Sequence, residues 1–116
     1  MEINQNVLNE FTFYLKKSKY KNIIQDLNLM YCTSDEIYLS LILIRIKKSQ
    51  RCKGFGSAVM YDITHFADKH NVRIKLWVTN EYGSNLKRLY GFYQKHGFIL
   101  IKNDNIGEMI YYPLKK

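Results

Sequence analysis

Lys47, Arg51 and Lys53 stand within seven positions of one another and flank Gly54 and Gly56 in the stretch RCKGFG. Cations beside glycines at this spacing suit an anion. A helix entered through glycine offers free backbone N–H groups and the positive end of its dipole, and no Cβ keeps a phosphate away. An ordinary strand-to-helix turn, needing positive φ at one or two positions, accounts for the glycines equally well. Two phosphate loops are excluded by the residues after Gly56. A Walker loop ends in Gly-Lys-Ser/Thr, but here Ser57 and Ala58 come next, and the dinucleotide fingerprint needs a glycine where Val59 stands.

Other reactive side chains are dispersed. His65 with Asp62, and His96 beside Gly97, make no ligand set, so no metal is expected. Cys32 and Cys52 show neither C-x-x-C nor zinc spacing and read as free thiols in a reducing compartment. No histidine pairs with Cys52, which therefore reads as a loop residue and not a nucleophile.

These groups must be positioned by a single unit, because 116 residues suffice for one domain, 1–116, and not for two. Hydrophobic content of 47% excludes a disordered chain despite the net charge of +8. That charge suits an acidic partner, but the cations are scattered and no RNA-recognition or helix-turn-helix pattern is present, so nucleic acid is not favoured. The opening MEINQ is not a signal peptide, and IYLSLILIRI has half of the ~20 residues needed to span a membrane. The expectation is a soluble, cytoplasmic protein without membrane contact.

Periodicity supplies the elements. Ile3, Val7, Leu8, Phe11, Tyr14 and Leu15 recur at helical spacing up to the polar cluster KKSKYKN. LNLMYC and IYLSLILIRI, divided by TSDE, read as an antiparallel hairpin, and the nearly continuous aliphatic second strand predicts helices over both faces of its sheet. Val59, Ile63, Phe66 and Ala67 mark a helix running to His70 with Asn71 as a left-handed cap, and VRIKLWVT alternates with Val72, Ile74, Leu76 and Val78 on one face. Strand, glycine turn, helix and strand make a β-α-β unit with parallel strands. A further helix from near Gly83 and Ser84 stops at Gly97, and FILIK and MIYYP close the chain as a hairpin, giving the order α-β-β-α-β-α-β-β.

IKKSQRCKGFG, with Arg51, Gly54 and Gly56 at its defining positions, resembles the acetyl-coenzyme A (acetyl-CoA) loop of the GCN5-related N-acetyltransferases (GNAT). RLYGFYQKHGF, residues 88–98, is similar to the second hallmark of that family through Phe92, Tyr93, Lys95, Gly97 and Phe98. The resemblance covers roughly residues 27–113 and implies an α+β fold with a mixed, mostly antiparallel sheet and helices on both faces. The region before LNLMYC is shorter than is usual in the family, which implies an unusually open acceptor groove.

The resemblance further implies an N-acetyltransferase moving the acetyl group of acetyl-CoA to an amine, with a protein lysine as one acceptor class. The backbone of Leu43, Ile44, Arg45 and Ile46 would hold the pantetheine arm, and Arg51, Cys52, Lys53, Gly54, Phe55, Gly56 and Ser57 the pyrophosphate. Tyr93 falls where the family keeps the acid that protonates the departing thiolate; a core role on its helix stripe is the alternative. Ser40 falls where several relatives carry a glutamate base, which leaves Glu36 and Glu81, with Glu81 preferred. Without a glutamate at that position, a module that binds CoA and does not turn over is the alternative function.

Overall fold

The computed structural model describes residues 3–78, 86–103 and 107–114. The first helix, α1 (Gln5–Tyr14), is capped by Asn4, whose side chain accepts from the Val7 N–H at 2.9 Å. It buries Leu8 and then gives way to a π-type turn over Leu15–Lys19, where Leu15 is also buried. The α-hydrogen-bonding thus ends at the lysine cluster, as the sequence predicts.

β1 (Ile24–Cys32) and β2 (Tyr38–Ile46) form the expected antiparallel hairpin. Asn28 faces Leu43 while Leu29 faces Leu41, so Ile42 is a one-residue bulge and its side chain is half exposed. α2 (Phe55–His70) ends at Asn71, which takes φ 51°, and Val72 N–H then bonds back to the Ala67 carbonyl at 3.0 Å. β3 (Arg73–Val78), α3 (Leu86–Lys95), β4 (Ile99–Asn103) and β5 (Gly107–Tyr111) complete a five-stranded sheet in the order β1-β2-β3-β5-β4. The expected start of α3 near Gly83 and Ser84 lies outside the described residues.

β2 and β3 are parallel, as the β-α-β reading requires, but they pair only at Tyr38↔Arg73, Leu39↔Ile74 and Ser40↔Lys75. Beyond Ser40, β2 stays with β1 and β3 with β5. The two central strands therefore part, and a cleft opens in the middle of the sheet.

Strand pleating assigns the faces. Leu39, Ile74, Leu76, Val78, Met109 and Tyr111 share one face by register, and all are buried. The helices pack there. Phe11 of α1 stacks on Phe66 of α2 with centroids 4.1 Å apart. The Tyr111 hydroxyl donates to Asp68 of α2 at 2.7 Å, and Tyr90 of α3 lies against Gly107, where any Cβ would collide with its ring.

The opposite face carries Tyr38, Ser40, Arg73, Lys75, Trp77, Glu108 and Ile110, and no helix among the described residues packs on it. Among the described residues the helices pack on one face, where the sequence predicts them on both. The aliphatic run of β2 has another cause: Leu39 and Leu41 face the helices, Ser40 is shielded in register by Met30 and Lys75, Ile42 bulges outward, and Leu43–Ile46 line the cleft half-buried. Burial by neighbouring strands and burial by a helix leave the same hydrophobic signature in a sequence.

Candidate active site

The cleft between the parted strands widens into a groove of ≈ 690 Å³. One wall is Leu43, Ile44, Arg45 and Ile46 of β2, whose backbone on the β3 side has left the ladder. The floor is the loop after β2 and the first turn of α2, contributing Arg51, Cys52, Gly54, Phe55 and Gly56. Nine predicted cofactor-binding residues are thus brought together. Lys53 and Ser57 do not line the groove; Ser57 Oγ instead lies 3.2 Å from His96 Nε2, linking the start of α2 to the end of α3.

The loop geometry explains Gly54. Gly54, the residue before α2, has φ 83°, and Cys52 has φ 63°, so these two hold the left-handed positions. Gly56 does not: it lacks positive φ, and a Cβ there would stand in ordinary contact with Phe92 at 3.6 Å, so the packing of α2 on α3 does not require glycine at this position. The first intrahelical bond is made by Ala58 N–H to Gly54 carbonyl at 3.1 Å, so the N–H groups of Phe55, Gly56 and Ser57 precede the helical ladder. Gly54 brings no side chain to cap them. Arg51 Nε donates to the Ile46 carbonyl at 3.1 Å, tying the loop to the end of β2. N–H donors at a helix start beside Arg51 are an arrangement that can hold a polyphosphate.

Sequence reasoning gave no cofactor role to Gln50, Arg88 and Phe92, which complete the lining. Arg88 and Phe92 stand one helical turn apart in RLYGFYQKHGF, so the motif held the signal.

Of the catalytic candidates, Tyr93 is half-buried between Phe92 and Phe98, with ring centroids at 5.3 and 5.7 Å, and does not line the groove itself. Burial pushes its phenol above the ordinary tyrosine range. Glu81 lies outside the described residues. Glu36 is engaged by two cations of β3: Lys75 and, at 2.8 Å, Arg73, and the hydrogen bond from Lys75 holds its carboxyl below the usual glutamate range. Ser40 is buried at 7% exposure.

Residues 22–98 match the model of the Acetyltransferase (GNAT) family. The chain belongs to the GNAT family. No curated protein matches the sequence. Solved GNAT-like folds are distant in sequence. A Pyrococcus horikoshii protein is 23% identical with a TM-score of 0.56, over 69% of this chain and 49% of its own. A Bacillus subtilis acetyltransferase in complex with CoA is 15% identical with a TM-score of 0.55, over 98% and 96% of the two chains. Arabidopsis thaliana Naa50, solved with the bisubstrate analogue CoA-Ac-MVNAL, is 14% identical with a TM-score of 0.56, over 95% of each chain. This GNAT chain therefore spans about half the length of the Pyrococcus protein and nearly all of the other two. Among the described residues, no three histidines, cysteines or carboxylates gather to hold a metal, and no helix is long and apolar enough to cross a membrane.

Proposed function

We propose that this GNAT domain is an N-acetyltransferase that uses acetyl-CoA to acetylate an amine, with a lysine on a protein as the foremost acceptor. The observation that carries the reading is the cleft between β2 and β3, which leads from the start of α2 into the sheet. The donors of Phe55–Ser57, with Arg51 and Arg88 beside them, suit a pyrophosphate and its charge. The unpaired side of Leu43–Ile46 suits an extended amide-bearing arm. When bound, acetyl-CoA supplies an acetyl group activated as a thioester. A peptide acceptor is supported by the sheet face that no described helix covers, and by the peptide portion of the analogue bound to Naa50, MVNAL, which holds no lysine and so speaks for a peptide amine in general.

Tyr93 is the proposed acid for the departing thiolate: a phenol pushed upward by burial keeps its proton at neutral pH. Glu81 is the proposed base, since Glu36 is committed to Lys75 and Arg73. One observation favours a second reading, a CoA-binding module without turnover: a buried serine, Ser40, holds the family's base position. Mass spectrometry of basic peptides incubated with the protein and acetyl-CoA separates the two. The transferase acetylates lysine in at least one peptide at a rate proportional to enzyme, whereas the module protects acetyl-CoA and yields no product.

A further inference from the structure

On the sheet face without a helix, Trp77 and Glu108 stand opposite each other across β3 and β5. Trp77 Nε1–H donates to Glu108 Oε1 at 3.2 Å, and the indole is 44% exposed, a large fraction for the chain's single tryptophan. Trp77 lies two residues past Lys75, the last position at which β3 pairs with β2, so it is on the stretch of β3 that has parted from β2, outside the lining of the groove itself. Tyr38 meets the indole edge-on, with centroids 6.4 Å apart.

An exposed indole face next to a carboxylate is a site for a cation: the ring quadrupole attracts the charge, and the carboxylate accepts its hydrogen bonds. The same face already displays this arrangement once. Lys75 Nζ lies 4.9 Å over the Tyr38 ring and is held by Glu36. The indole N–H fixes one oxygen of Glu108 and orients the carboxylate.

We infer that Trp77 and Glu108 form the subsite that receives the acceptor's ammonium group before transfer, and so select cationic primary amines. The inference rests on the transferase reading for the identity of the ligand. The other charged groups facing this site are Lys75 and Arg73 on β3, both engaged by Glu36, and Lys102 on β4, opposite Glu108 in register. A half-exposed ion pair in water is weak, so Glu108 concentrates the ammonium without holding back its proton. The side chain thus contributes to acceptor binding, while proton removal stays with the base.

The test uses the lone tryptophan as its own reporter. Nα-acetyl-lysine amide titrated into the intact protein should change Trp77 emission saturably, and Nα-acetyl-norleucine amide, which lacks the ammonium, should not. Glu108→Gln keeps an acceptor for the indole N–H, so its melting temperature should hold while the lysine probe binds about 3- to 5-fold more weakly, the scale of a half-exposed ion pair. In turnover with a lysine peptide, the same variant should raise KM by a similar factor with kcat retained, the pattern of lost uniform binding. Equal responses to both probes, or unchanged lysine affinity in Glu108→Gln, overturns the subsite. Acetyl transfer by wild type without a probe difference also counts against it, whereas a probe difference without any acetyl transfer upholds a cation site at Trp77 and Glu108 but overturns its role as an acceptor subsite together with the transferase reading.

Discussion

Gly54→Val tests whether the loop after β2 is a cradle or merely a turn. Gly54 has φ 83° and ψ 4°, and nothing lies within 4 Å of the position its Cβ would take, so the substitution meets no clash. Its cost is the left-handed backbone alone, about 1–2 kcal/mol for a residue with a Cβ. In a domain of this size, 1 kcal/mol moves the melting temperature by roughly 3–5 °C, so a fall of about 3–10 °C is expected. Acetyl-CoA at ~100 times the wild-type Kd stabilises the native protein by about 2.7 kcal/mol, or roughly 8–13 °C. Relaxation of residue 54 away from positive φ would turn the N–H groups of Phe55, Gly56 and Ser57 from the groove. If affinity falls tenfold, the ligand contributes only about 1.4 kcal/mol at the same concentration, half the wild-type shift. Gly56→Ala is the control, because Gly56 lacks positive φ and its new methyl would sit in ordinary contact with Phe92 at 3.6 Å. Thermal melts of both variants with and without acetyl-CoA decide the matter. A Gly54→Val protein that melts lower but keeps the full ligand shift would refute the cradle.

Tyr93→Phe should retain acetyl-CoA affinity and lose ~10²-fold or more in kcat, measured by CoA thiol release; an unchanged rate with lowered stability would make Tyr93 a packing residue. Glu36 is held below its ordinary range by Lys75 and Arg73, so the stability it contributes is present above the unfolded carboxyl range and is lost as pH falls through its lowered folded value. Glu36→Gln should therefore flatten the acid limb of a plot of melting temperature against pH, and an identical limb in both proteins would show the ion pairs to be without consequence. Gly97→Ala should cost about 1–2 kcal/mol by denaturant melt, since φ is 90° and the Tyr111 ring stands 3.1 Å from the new Cβ; a neutral result would mean that the end of α3 readily repacks.

Local pattern is the legible part of this sequence. Strict alternation places Val72, Ile74, Leu76 and Val78 in the core, and the switch of period at RCKGFG marks the strand-to-helix turn, because both follow from backbone geometry over a few residues. Asn71 is readable as a left-handed cap for the same reason. Features that depend on the third dimension are harder to read. Which loop residue besides Gly54 takes positive φ depends on the path between β2 and α2, and Cys52 holds it where Gly56 is the visible candidate. The engagement of Glu36 by Arg73 and Lys75 depends on parallel register, and the one-sided packing of helices depends on where α1 docks, beside α2 through Phe11 and Phe66. Arg88 joins Arg51 at the groove only because α3 packs against the start of α2, at Gly56 and Phe92.

The central claim is that the groove between β2, α2 and α3 is built for acetyl-CoA, and titration calorimetry of the wild-type protein with acetyl-CoA and with NAD tests it most directly. Both ligands carry a pyrophosphate, but acetyl-CoA bears a further ribose 3′-phosphate and more negative charge, so the titrations are run at raised salt, where simple attraction to a protein of net charge +8 is screened. The cleft beyond Ser40, where β2 has left β3, suits an extended pantetheine arm and gives no such fit to a nicotinamide riboside. Saturable one-to-one binding of acetyl-CoA is expected, at least ~10-fold tighter than NAD and weakened in Gly54→Val by a loss of about 1.4 kcal/mol or more. Equal affinity for the two ligands, persisting in Gly54→Val, would contradict the claim.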